Sequence, residues 1–171
     1  MPTVRATRRR GPMTALEGEA PALAIGDVAV RHIRLTSDGL TLWLGDRSGP
    51  ALPWDGVRAV TLEPPTTRWL HPAVADSFGP LLEGILGGGL SDQPEAAPTF
   101  PVRIAANDGG VVEWNVTQHY LSGYRPREVR ATQGLLEYLV ARAEARVLLG
   151  RPAELIDRIS ALVRVRPVIA E

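Results

Sequence analysis

From Leu40 to Leu44 apolar and polar positions alternate, with Leu40, Leu42 and Leu44 on one side of an extended chain and Thr41 and Trp43 on the other. A period of two predicts a β-strand. Neighbouring stretches repeat the pattern. VAVRHIRLTS, from Val28, is rich in β-branched and apolar residues and runs into the turn Ser37-Asp38-Gly39. After GDRSGP comes ALPW, a short edge segment because Pro53 has no N–H to give an interior ladder. GVRAVTL follows, with Val60 and Leu62 facing inward, and Pro64-Pro65 ends it. Further along, Val102, Ile104 and Ala106 alternate before Asn107-Asp108-Gly109-Gly110, and Val112, Trp114 and Val116 alternate after it. That tetrapeptide readily supplies the positive φ angles of a hairpin turn. The pattern predicts about six convincing strands.

The period then changes to that of a helix. Leu135, Leu136, Leu139, Val140, Ala143 and Val147 form one stripe, which predicts a helix over 127–149. Gly150 breaks it and Pro152 opens a second, in which Leu155, Ile156, Ile159, Leu162 and Val163 form the apolar stripe and Pro167 sets the limit. Strands followed by helices predict an α+β fold.

Two regions lack either period. Residues 64–100 hold six prolines and the run GGGL, long for a connection inside a domain. Within them Leu81, Leu82, Ile85 and Leu86 share one face of a short helix expected from Pro80 to Gly87, with Phe78 just ahead of it, and SDQPEAAPT reads as an exposed tether. Residues 1–27, rich in Arg, Gly, Pro and Ala, read as a disordered or loosely attached tail, with Met13 as an alternative start. The division expected is therefore a tail at 1–27, a domain at 28–148 with an insertion at 64–100, and an additional helix and tail at 151–171.

Composition removes several kinds of chemistry. The 171 residues carry 19 basic and 19 acidic side chains, so nothing in the bulk charge suggests a nucleic-acid binder. The absence of cysteine excludes disulfides, thiol nucleophiles and thiolate metal sites. The absence of lysine excludes Schiff-base chemistry and the lysine of a phosphate-binding loop. No run approaches the roughly 18 apolar residues of a membrane helix. Acidic residues stand where a signal peptide would have its apolar core, and the expectation is a cytoplasmic protein.

The stretch DGLTLWLGDRSGPALPWDGVRAVTL resembles the first strands of bacterial pleckstrin-homology-like domains, which run strand, Asp-Gly, strand, then Pro-Trp-Asp-x-Val into the next strand. The resemblance covers residues 28–148. It implies a strongly bent antiparallel sheet or partly open barrel of about six or seven strands, capped by the C-terminal amphipathic helix. For function it implies recognition of peptides, proteins or lipid headgroups rather than catalysis. Phosphoinositide binding is disfavoured, because the first hairpin turn carries Asp38 and because Arg31 and Arg34 lie an odd number of residues apart and point to opposite faces.

The residues offer little catalytic chemistry. His32, His71 and His119 have no partners at ligand spacing, and only a meeting of His32, Glu113 and His119 across the sheet would make a metal or acid–base site. Ser77 lacks the elements of a nucleophile turn, and GILGGGL ends a helix instead of opening one. Trp54 and Trp114 read as core anchors and Asp55 as a turn acceptor, whereas Trp43 and Trp69 are candidates for a stacking surface. No cofactor is implied. The best candidate is an apolar surface formed by Phe78, Leu81, Leu82, Ile85 and Leu86, either closing the sheet or docking on a protein partner or a second copy. The terminal helix poses the same choice. A small-molecule enzyme or carrier using the barrel interior, and weak peripheral membrane association through the arginine tail and the apolar insertion acting together, are the alternatives.

Overall fold

The computed structural model describes residues 4–66 and 97–164. Six strands form one antiparallel sheet in chain order: β1 (Val4–Arg10), β2 (Met13–Gly18), β3 (Ala22–Asp27), β4 (Arg31–Leu35), β5 (Gly39–Leu44) and β6 (Arg47–Pro53). A second antiparallel sheet holds β7 (Val57–Leu62), β8 (Thr99–Ala106) and β9 (Val111–Thr117). Helix α1 (Pro126–Ala141), a 3₁₀ segment (Ala143–Gly150) and helix α2 (Pro152–Arg164) follow. The α+β expectation holds, with antiparallel sheets and C-terminal helices. Among the described residues the sheets do not close into a barrel.

All six strands expected from alternation are present. The correction concerns the N-terminus, where residues expected to be a loose tail form β1, β2 and β3. Register explains how they are held. Met13 pairs with Ile25, Ile25 with Ile33 and Ile33 with Leu42, a row facing the main core. The adjacent row, Ala15, Leu23, Leu35, Leu40 and Leu52, faces the same way. On the opposite face Leu16, Ala22 and Ala24 form a second small cluster with Val4 and Val28 against it. Strands β2 and β3 are thus buried on both faces, which removes the alternation that would have revealed them.

The helical stretch is also divided differently. Its expected span over 127–149 breaks at Arg142, and Ala143 and Val147 are exposed instead of continuing the stripe. Arg146 supplies the stop: its Nε donates to the Leu139 carbonyl at 3.1 Å and an Nη to the Val140 carbonyl at 3.4 Å, satisfying acceptors left over at the helix end. The second helix starts at Pro152 as expected, but Leu162 points outward. Strand β8 begins at Thr99, inside the stretch assigned to the insertion. The helix expected from Pro80 to Gly87, the partner-binding candidates Phe78, Leu81, Leu82, Ile85 and Leu86, and Trp69, His71 and Ser77 lie outside the described residues.

Leu135, Leu136 and Leu139 of α1 and Leu155, Ile156 and Ile159 of α2 join both sheets in one core with Phe100, Trp114 and Tyr124. Trp54 is buried as expected, and its indole N–H donates to the Thr36 carbonyl at 2.7 Å. Asp55 beside it is a surface residue that approaches Arg146 at 3.6 Å and caps nothing. No helix among the described residues is long and apolar enough to cross a membrane.

Candidate functional site

Two places bring together more chemistry than the fold requires. The first is the polar cluster beside β4. His32 on β4 pairs in register with Gly26 and Trp43, and His119 follows the end of β9. The sheet junction brings both histidines within electrostatic reach of each other and of Asp27. Glu113, the third member expected, lies elsewhere: it is exposed on β9 and accepts from Arg103 Nε at 3.0 Å. Among the described residues no three His, Asp or Glu side chains form a group able to hold a metal.

His119 Nε2 lies 3.2 Å from Thr14 Oγ1, and its Nδ1 lies 3.0 Å from the Tyr124 hydroxyl. The same hydroxyl accepts the His119 backbone N–H at 2.8 Å, so Tyr124 meets both the backbone and the ring of His119. Hydroxyl, imidazole and second hydroxyl in line resemble the parts of an activated nucleophile. Thr14 is 1% exposed, so its hydroxyl meets the ring inside the protein. The chain of contacts ties β2 to the segment after β9.

His32 is 0% exposed. Its Nε2 accepts from Arg34 Nε at 3.0 Å, so the neutral ring carries its proton on Nδ1, which is buried without a hydrogen-bond partner among the described residues. Burial, and after it the Arg34 charge, pushes His32 down to about 4. Burial, and after it Arg9, likewise pushes His119 down to about 4. Arg34 lies over Trp43, 3.6 Å from the ring centroid, and the His32 and Trp43 rings stack 6.3 Å apart. Trp43 is therefore covered by the protein's own arginine. Arg31 pairs with Asp27 and Leu44, and Arg34 with Ala24 and Thr41, which puts them on opposite faces as their spacing requires.

The second place is a groove of about 500 Å³ between the two helices. Ala131, Gly134, Leu135 and Tyr138 line it from α1, at the i, i+3, i+4 and i+7 positions of one face. Ile159, Leu162 and Val163 line it from α2. Leu162 is 74% exposed and Tyr138 46% exposed, and a Cβ placed on Gly134 would meet no atom within 4 Å. Around the other side of α2, Val147, Leu148 and Leu155 line a smaller cleft of about 230 Å³ with Arg151, Glu154 and Arg158. Sequence periodicity named Leu135, Ile159, Leu162 and Val163 of this lining, on two separate helix stripes, left open whether the terminal helix packs or docks, and did not single out Ala131, Gly134 or Tyr138. The signal it passed over is that α2 carries apolar residues on more of its circumference than one core-facing stripe needs.

No family model, curated protein or solved structure matches the chain.

Proposed function

We propose that this chain is a non-catalytic, cytoplasmic binding or assembly module that recognises a protein through apolar helix surfaces. The observation that carries the reading is the α1–α2 groove, where Leu162 and Tyr138 stand exposed beside Ile159 and Leu135. Contiguous exposed apolar surface is costly to a free globule, at roughly 25 cal/mol per Å² left in water, and marks interaction sites. The resemblance to pleckstrin-homology-like domains points the same way. Within residues 28–148, which the resemblance covers, β4 to β9 supply six antiparallel strands and α1 packs against β7. Residues 78–86 extend the same proposal to the insertion.

A photo-crosslinking residue at position 162, compared with one at exposed Val111 on the far sheet, tests the reading in the native host. A defined protein adduct at 162 and none at 111 is the expected result. Equal labelling at both positions would remove the groove as a recognition surface.

A further inference from the structure

We infer that the α1–α2 groove takes an amphipathic helix with acidic flanks from a partner protein; this rests on the reading of the groove as a recognition surface. Three observations define the occupant. The groove is a trough between two helices with an apolar floor, and along α1 its lining runs from Ala131 to Tyr138. At 1.5 Å per residue that is about 10 Å, two turns, the length over which a docked helix presents anchors at i, i+3, i+4 and i+7. Gly134 leaves the middle of the trough without a side chain, so a helix can approach closely.

Charge selects among helices. Arg127 and Arg130 stand one turn before Ala131 and Gly134, both are exposed, and neither is ion-paired among the described residues. At the other end of α1 the Arg142 guanidinium lies 5.4 Å over the ring of Tyr138, itself a lining residue. Of the two α1 glutamates, Glu128 lies against Gly11, and Glu137 accepts a hydrogen bond from Gln133 at 3.0 Å. On α2, Arg158 is already neutralised by Glu154. The rim along α1 therefore carries two arginines without an ion pair among the described residues, Arg127 and Arg130, while Arg142 approaches Glu144 at 3.9 Å. A second copy of the chain would bring those arginines toward their own counterparts across a two-fold axis, an unfavourable match. Carboxylates on either side of an apolar stripe complement it.

The test uses the full chain and two dye-labelled helical peptides with an identical leucine stripe, one flanked by glutamates and one by arginines. Fluorescence anisotropy is expected to show the acidic peptide binding at least about tenfold more tightly, with an advantage that shrinks as salt rises. Leu162→Asp should abolish binding of the acidic peptide, and Arg130→Glu should reduce or reverse the preference. Leu162 is largely exposed, so a thermal melt of that variant should match the wild type. Equal binding of the two peptides, or preference for the basic one, would overturn the acidic assignment while leaving the groove as a recognition surface. Self-association or binding to anionic vesicles that is lost in Leu162→Asp would replace the partner helix by another occupant and overturn the inference. Binding of neither peptide, together with no position-specific crosslink at 162, would remove the groove from function altogether.

Discussion

The side-chain amide of Gln133 on α1 holds Leu62 on β7 by the backbone: its Oε1 accepts the Leu62 N–H at 3.2 Å. Its Nε2 donates to the Val60 carbonyl at 3.0 Å, so one amide group serves two consecutive free positions along the edge of the three-stranded sheet. An unpaired strand edge leaves donors and acceptors to find partners elsewhere, and here a helix side chain takes the place of another strand. Gln133→Ala should cost about 1–3 kcal/mol in urea unfolding, because both backbone groups lose their partner beneath a helix that restricts water. Gln133→Glu keeps the acceptor and loses the donor, so it should fall between the two. Equal stability of all three proteins would show that water replaces the amide without loss.

Acid should weaken the fold before its carboxylates titrate. His32 and His119 are both held down to about 4, by burial first and then by Arg34 and Arg9 respectively, with Asp27 opposing from β3. The folded values lie below the ordinary 6.5, so the unfolded chain takes up protons that the native one refuses. Stability is therefore fully present above pH 6.5, declines as the pH falls toward 4, and levels off below. At about 1.4 kcal/mol per unit the His32 contribution is roughly 3 kcal/mol, and that of His119 is smaller because solvent reaches it. Denaturant midpoints measured between about pH 7.5 and pH 5, above the usual Asp and Glu range, isolate the effect. A flat profile across that window would mean that neither ring is buried as a neutral base.

How far the fold could be read from the chain depended on which faces are wet. β8 and β9 were legible because one side of each is mostly covered and the other mostly is not, and the turn at Asn107–Gly110 has the residues its geometry needs. β2 and β3 were not, since Met13, Thr14, Ala15 and Leu16 are buried in succession, as are Ala22 to Gly26. The break at Arg142 was invisible for another reason: it is set by Arg146 reaching back to the helix end, a contact that no propensity encodes. The groove was half legible. Periodicity found Leu135, Ile159 and Leu162, but which side of α2 faces water depends on where α1 sits, and that is a tertiary fact.

The buried start of β2 makes residues 4–12 structural. Met13 is 0% exposed, and Arg8 on β1 pairs with Asp157 of α2 at 3.1 Å. A chain starting at Met13 would place its α-ammonium at the head of a buried strand, at a cost of several kcal/mol. It would also strip β1 from β2 and expose a fresh edge. Deletion of residues 1–12 should therefore lower the melting temperature by at least about 10 °C or yield aggregating protein, at roughly 2–4 °C per kcal/mol for a chain of this size. A truncated protein melting with the full chain would show that β1 is dispensable.

Two glycines should respond in opposite directions to the same methyl group. Gly39, where β5 starts, faces the backbone of β6, and a Cβ there would lie 2.3 Å from the Leu52 carbonyl oxygen and 2.9 Å from the Pro53 Cα. Neither atom is the end of a flexible side chain, so the strands must separate. Gly39→Ala should cost upwards of about 2 kcal/mol, in the range of an overpacked core site. Gly134 lies inside α1 with open space where its Cβ would be. Gly134→Ala removes backbone freedom from the unfolded chain without a clash and should gain about 0.5–1 kcal/mol. Denaturant unfolding of both variants against the wild type provides the comparison. Destabilisation by Gly134→Ala would mean that the trough is narrower than its lining residues make it, and a neutral Gly39→Ala would mean that β5 and β6 are not in the register that brings Leu52 against that position.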